Sequence, residues 1–252
     1  MPTCTMEGLS KAEALRYHEQ GFLGPFAICA QDEMDRLRAH IDAQVLTRDG
    51  LNPKNRGHCR HLDDARLYEL IHKPALVERA ASLLGPDLLC WSTNFWTKEP
   101  GGKEIPWHQD FQYWPIEPPL NLTAWIAVDP VSVENSCVRV IPGSHKKILP
   151  ERPTTAEQIF DKSADASLID ESKAVSMELK PGEFFLFNER LLHQSNKNVS
   201  NRRRMGMTVR LSVPFVKVYQ DGPPLFPGHS CVLLSGEDRF GLNDFLPHPP
   251  QA

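Results

Sequence analysis

Apolar residues recur along this chain first at helical and then at strand spacing. Ser10 precedes an amphipathic run, with Glu13 three residues on and Gly21 behind it, so Lys11 to Gln20 is predicted as a capped helix. Residues 22–29 are mostly apolar and predict a short strand. Within residues 31–46, Met34, Leu37, Ile41 and Val45 fall three or four apart, which predicts a second helix. Residues 47–65 are polar, rich in Asn, Arg, His and Asp, and have no clear period; they read as a long loop. Pro74 suits the first position of a third helix, which ends at Leu84 before Gly85.

Beyond Gly85 the period shortens. Leu88 to Lys98 is aromatic-rich, and Glu99-Pro100-Gly101-Gly102 marks a turn. A strand is predicted around Trp107-His108-Gln109-Asp110, then at 122–129 and at 138–141, the last closed by Pro142-Gly143. Residues 151–173 are polar and poor in strand formers, an excursion or lid. Strands resume at 175–179, 183–187, 191–195 and 204–213, and the proline-rich tail from Pro223 reads as extended. Helices followed by many short strands predict a mainly β fold with flanking helices, a double-stranded β-helix or cupin-like jelly roll. One domain, 1–252, is expected, with a helical part at 1–86, a jelly-roll core at 87–215 and an extended tail at 216–252.

A chain of 252 residues with 40% hydrophobic and 24% charged content can bury one substantial core. Its net charge of -4 leaves no basic footprint, so no nucleic-acid partner is expected. No apolar run reaches membrane-spanning length, and no membrane partner is expected either. The stretch Met1-Pro2-Thr3-Cys4-Thr5-Met6-Glu7 has no basic or apolar signal region, so a cytoplasmic protein is expected, monomeric or homodimeric. Cys4, Cys29, Cys59, Cys90, Cys137 and Cys231 include no Cys-x-x-Cys pair, which argues for reduced structural thiols.

Alternate residues of a strand share a face, so His108 and Asp110 project to one side. With His193 far downstream they make two imidazoles and one carboxylate, the facial triad of non-haem Fe(II) oxygenases. His-x-Asp alone also fits an ordinary strand histidine beside a surface aspartate, and His193 alone a satisfied core residue. In strand 204–213, Arg204, Gly206, Thr208, Arg210 and Ser212 fall opposite Met205, Met207, Val209, Leu211 and Val213. The polar face is either solvated or turned to a cavity where an arginine grips a carboxylate. His193 and Ser195 also share a face, so several weak signals converge on one half of the protein.

Pro106-Trp107-His108-Gln109-Asp110, Leu122-Thr123-Ala124-Trp125-Ile126-Ala127 and Val140-Ile141-Pro142-Gly143-Ser144-His145-Lys146 together resemble the phytanoyl-CoA dioxygenase family. Pro181-Gly182-Glu183, His193-Gln194-Ser195 and Arg204 continue the likeness in order, and Tyr17-His18-Glu19-Gln20-Gly21-Phe22 extends it toward the start. The resemblance implies Fe(II) held by His108, Asp110 and His193, with 2-oxoglutarate as cosubstrate and O2 as oxidant. It implies that Arg204 pairs with the distal carboxylate of 2-oxoglutarate, and that Ser195, Gln109 and Trp125 line the cosubstrate pocket. Similar halogenases carry Gly or Ala in place of the carboxylate ligand; Asp110 therefore implies hydroxylation or a related oxidation. Asn94, Trp114, Arg210 and Arg139 are substrate-contact candidates, and Arg56 and Arg60 of the 48–65 loop are candidates to meet an anionic group. The expected substrate is a small polar or natural-product-type metabolite. Two alternatives stand beside this reading: a cupin-type metalloenzyme that uses no 2-oxoglutarate, and a non-catalytic small-molecule-binding barrel.

Overall fold

The structure, a computed structural model, describes residues 8–155 and 158–251. Four α-helices are described: α1 (Lys11–Gln20), α2 (Gln31–His40), α3 (Ala65–Ile71) and α4 (Pro74–Leu84). The strands in chain order are β1 (Phe22–Ala27), β2 (Leu88–Lys98), β3 (Ile105–His108), β4 (Ile116–Glu117), β5 (Leu122–Ala127), β6 (Val138–Val140) and β7 (Glu151–Pro153). They continue with β8 (Lys162–Ala164), β9 (Val175–Met177), β10 (Glu183–Asn188), β11 (His193–Ser195), β12 (Arg204–Ser212), β13 (Lys217–Val218) and β14 (Val232–Ser235). A six-stranded sheet runs β1-β10-β5-β12-β2-β14 and faces a four-stranded sheet, β3-β11-β6-β9, giving the predicted jelly roll.

Strand alternation sorts the side chains into layers. Met205, Met207, Val209 and Leu211 of β12, each fully buried, join Leu122, Ala124 and Ile126 of β5 in a core shared with Met34, Leu37, Leu67, Leu70 and Leu76 of the helices. Trp125 and Ala127 of β5 and Phe185 and Phe187 of β10 point the other way, into a second core with Val138 and Val140 of the smaller sheet. Both faces of the large sheet are therefore covered, and the polar face of β12 is buried between the sheets rather than solvated.

Local signals hold where their chemistry is local. Ser10 and Glu13 form the reciprocal capping box of α1, and Gly21 ends it at φ 82. The helix over 31–46 splits, however: α2 passes at Ile41 into a single π turn, Ile41–Val45. The predicted loop ends in α3, capped by the Asp64 carboxylate on the Leu67 N–H, which at seven residues is too short to show a period. The tail is not merely extended: β14 pairs with β2, and Phe226, Cys231 and Val232 are buried in the helix-side core. The 151–173 excursion carries the hairpin β7-β8.

Candidate active site

The site opens between the two sheets, where β3 and β11 pair with His108 directly opposite His193. Their ring centroids lie 4.1 Å apart. Each imidazole donates its Nδ1–H to the carbonyl two residues upstream, His108 to Pro106 at 2.7 Å and His193 to Leu191 at 2.8 Å. These bonds fix the tautomer and leave both Nε2 lone pairs facing one point. β3 stops at His108, so Asp110 opens a 3-10 turn rather than lying within the strand. Gln109 nevertheless keeps extended angles, φ -120 and ψ 124, and the two-residue alternation still carries Asp110 to the side of His108. Asp110 Oδ1 is 3.3 Å from His108 Nε2 and 3.8 Å from His193 Nε2, and the three side chains offer ligand atoms all within 4.8 Å of one another.

Electrostatics suit a cation at that point. Burial alone would raise the Asp110 pKa, but the Arg210 guanidinium, with Nη1 at 2.9 Å from Oδ2, and the two histidines outweigh it and hold the carboxylate well below its usual range. Burial, then the neighbouring His108, pushes His193 down to about 4, so its imidazole is neutral and able to ligate at neutral pH. Two imidazole nitrogens and one carboxylate oxygen are a fitting donor set for a first-row divalent ion.

Deeper between the sheets lies a cationic pocket. Arg204 is 2% exposed, and its guanidinium carbon stands 5.5 Å over the Trp125 ring. Its hydrogen bonds, to Trp96 O at 3.4 Å and Ser195 Oγ at 3.5 Å, are long, and its Nε has no partner. Beside it, the Lys98 ammonium donates to Ser195 Oγ at 2.8 Å, Ser136 Oγ at 2.9 Å and the Asn196 carbonyl at 2.7 Å. Burial, and then Arg204, pushes Lys98 down to about 7; burial also pulls Arg204 to about 10. A buried guanidinium beside a partly charged amine, neither with a carboxylate in salt-bridge reach, is costly unless an anion completes the pair. That unfinished charge fits a carboxylate. Gly206 makes room for the pocket wall: a Cβ there would fall 2.1 Å from Trp125 Cζ2.

The pocket meets a larger cavity of about 720 Å³ through Trp96, Asp110, Phe160 and Arg210. Phe160, on the 151–173 excursion, stands edge-on to His108 at 4.7 Å. The 48–65 loop contributes Asn52, Lys54, Asn55 and His58 to the cavity, and the tail contributes Asp221 and Leu225.

The predicted residues divide accordingly. Ser195, Trp125 and Arg204 line the inner pocket, Asn94 and Trp114 the outer cavity, and Arg210 both. Gln109 is not at the pocket: alternation turns it away from His108 and Asp110, and it bonds the backbone of Lys147, Leu149 and Arg190. Arg139 points outward to Glu171 at 3.1 Å and lies over Trp107, so it reaches neither cavity. Arg60 is fully buried against Asp63 and backbone carbonyls, and Arg56 pairs with Asp49; neither faces the cavity. Lys98 was missed by the sequence reading, although it follows Asn94 and Trp96 at strand spacing on β2 and so shares their face.

A family model described as phytanoyl-CoA dioxygenase (PhyH) matches residues 17–206. Dioxygenase lolE1 of Epichloe uncinata is 30% identical over 140 residues, 56% of this chain and 52% of that protein. The peroxisomal phytanoyl-CoA dioxygenase of Homo sapiens is 29% identical over 147 residues, 54% of this chain and 43% of that protein. The match thus spans about half the length of these relatives. Among solved structures, the non-heme monooxygenase ThoJ in its apo form superposes with a TM-score of 0.79 at 26% identity, covering 95% of this chain and 88% of that one. CytC3 with Fe(II) and alpha-ketoglutarate superposes with a TM-score of 0.75 at 27% identity, covering 94% of this chain and 93% of that one.

Proposed function

The chain belongs to the phytanoyl-CoA dioxygenase family, and from that membership we propose that it is an Fe(II)- and 2-oxoglutarate-dependent dioxygenase acting on a small polar or natural-product-type metabolite. The observation that carries the reading is the juxtaposition of His108, Asp110 and His193 with a buried Arg204 that lacks a carboxylate partner. Fe(II) and 2-oxoglutarate bound there supply O2-dependent oxidation of an unactivated carbon, with succinate and CO2 as co-products. His108 and His193 hold the metal through Nε2 and Asp110 through Oδ1, while Arg210 retains Oδ2. Arg204 receives the distal carboxylate of the cosubstrate, flanked by Trp125 and Ser195. Lys98 donates to the Ser195 hydroxyl oxygen, which turns the hydroxyl proton toward the pocket. Trp96 and Phe160 narrow the passage to the outer cavity and limit water at the reacting carbon. Asp110 supplies a third protein ligand, which supports hydroxylation rather than halogenation.

The test is anaerobic addition of 2-oxoglutarate to Fe(II)-loaded protein, followed by visible absorption, with Arg204→Ala alongside. A weak charge-transfer band in the wild type, appearing only at higher cosubstrate concentration in the variant, is the expected result. Iron bound without any band overturns the reading in favour of a metalloenzyme that uses no 2-oxoglutarate, and no iron bound favours a binding barrel.

A further inference from the structure

The outer cavity has a polar wall whose hydrogen-bonding sense can be worked out atom by atom. Asn52 accepts the Lys54 backbone N–H at Oδ1, 3.0 Å away, so its Nδ2 faces His58 Nδ1, at 2.7 Å. His58 Nδ1 is thereby an acceptor, and the ring proton sits on Nε2, which donates to Ser92 Oγ at 2.9 Å. Cys59 Sγ also donates to that oxygen, at 3.8 Å. With two donors on its oxygen, the Ser92 hydroxyl proton is left for the cavity it lines. Asn94 accepts Asn55 Nδ2 at Oδ1, 3.1 Å away, which leaves its own amide hydrogens for the same cavity. Arg210 uses Nη1 on Asp110 and lies 4.4 Å over Trp114, its remaining N–H groups at the cavity's inner end.

Strand register gathers these three. Arg210 is paired directly with Ser92 across β12 and β2, and Thr208 with Asn94 one alternate position along. Directly opposed side chains on one face start about 5 Å apart, and neighbours on the diagonal about 7–8 Å. The apolar part of the lining is flat, made of Trp91, Trp96, Trp114, Phe226, Pro223 and Pro224.

We propose that the outer cavity selects a ring-bearing substrate whose acceptor oxygens, such as a ketone, lactone or ether, meet the donor cluster Ser92, Asn94 and Arg210, and that it rejects ring compounds bearing an ammonium. This assignment rests on the oxygenase reading of the same site. Asp161 and Asp221, both exposed, also line the cavity, as do the exposed Lys54 and Lys162, and Asp110 is engaged by Arg210. At the cluster itself an ammonium meets the donors of Ser92 and Asn94 beside the Arg210 charge and leaves both sides unsatisfied. A ketone oxygen accepts from two of them at once. The aromatic walls stack either ring and attract the ammonium by cation–π interaction, so the ketone's advantage comes from the donor cluster alone.

The test uses two probes of one carbon skeleton, 2-acetonaphthone and 1-(2-naphthyl)ethylammonium. They are titrated by calorimetry into anaerobic protein loaded with Fe(II) and 2-oxoglutarate, with the charge-transfer band recorded on the same sample. The ketone is expected to bind at least roughly tenfold more tightly than the ammonium, and the double variant Ser92→Ala, Asn94→Leu to weaken the ketone about tenfold with little change for the ammonium. Equal binding of the two probes, tighter binding of the ammonium, or a double variant that binds the ketone as well as wild type overturns the proposal. Circular dichroism checks that the double variant is folded, and Ser92→Ala alone, expected to lose part of the ketone affinity, serves in its place if it is not. An absent charge-transfer band together with the expected probe order would sink the oxygenase reading and leave the cavity's selectivity standing.

Discussion

Gly206→Ala is a one-carbon change with a calculable consequence. The added Cβ would lie 2.1 Å from Trp125 Cζ2 and 2.3 Å from Cη2. Carbon atoms rest about 3.5–4.0 Å apart, so the ring must move by roughly 1.5 Å. It has little room: Trp125 is buried, with Phe185 at 6.3 Å between centroids and the Arg204 guanidinium carbon at 5.5 Å. Overpacking of this kind costs about 1–3 kcal/mol. For a domain of this size each kcal/mol lowers Tm by about 2–4 °C, so a fall of about 2–12 °C is expected in thermal denaturation followed by circular dichroism. The displaced ring also intrudes on the carboxylate pocket, and anaerobic titration of the charge-transfer band should show half-saturation with 2-oxoglutarate raised about tenfold or more, a loss of about 1.4 kcal/mol. Adding Trp125→Phe removes the clashing half of the indole and should recover most of the lost Tm. Unchanged Tm and unchanged half-saturation in Gly206→Ala would refute the claim that this glycine holds the pocket wall in place.

Further outcomes follow from other contacts. Lys98→Met strips the donor from Ser195, Ser136 and Asn196, and should weaken 2-oxoglutarate in the same titration about tenfold while Fe(II) binding is retained. Arg210→Met frees Asp110 Oδ2, and Fe(II) affinity measured by chelator competition should drop about 10–100-fold, as for other partners of metal ligands; unaltered affinity would deny Arg210 that role. Burial holds His58 and His229 down at about 4 against an ordinary 6.5, so the unfolded chain takes up their protons first as pH falls. Stability present above about pH 6.5 is therefore lost toward pH 4, at up to about 1.4 kcal/mol per pH unit for each histidine, and urea midpoints at pH 7 and 5 should differ accordingly. Arg56→Ala removes an exposed ion pair with Asp49 outside the cavity, and binding of 2-acetonaphthone should be indifferent to it.

Much of this architecture is written in short-range patterns. The capping box at Ser10, the Pro74 start of α4 and the alternation of β12 are each decided within a few residues, and each appears in the structure. So does the pairing of polar and apolar faces that turns Arg204 and Arg210 inward. What escaped the sequence depends on distant partners. Arg56 and Arg60 look like free cations in a polar loop, but the fold supplies Asp49, Asp63 and four backbone carbonyls to absorb them. The family resemblance assigns Gln109 to the cosubstrate pocket, whereas alternation sends it to the opposite side, onto the backbone of Lys147, Leu149 and Arg190. Lys98 gained its meaning only when β11 and the turn at Ser136 came to surround it.

The two cavities are built from different kinds of chain. His108, Asp110, His193 and Arg204 stand on paired strands or the turn leaving one, whereas much of the outer chamber is assembled from the 48–65 loop, the 151–173 excursion and the tail beyond β13. Insertions and substitutions in such segments are tolerated far more readily than in paired strands. A lineage carrying this scaffold can therefore exchange what its outer chamber admits by rewriting three surface segments, with the paired strands beneath them inherited intact.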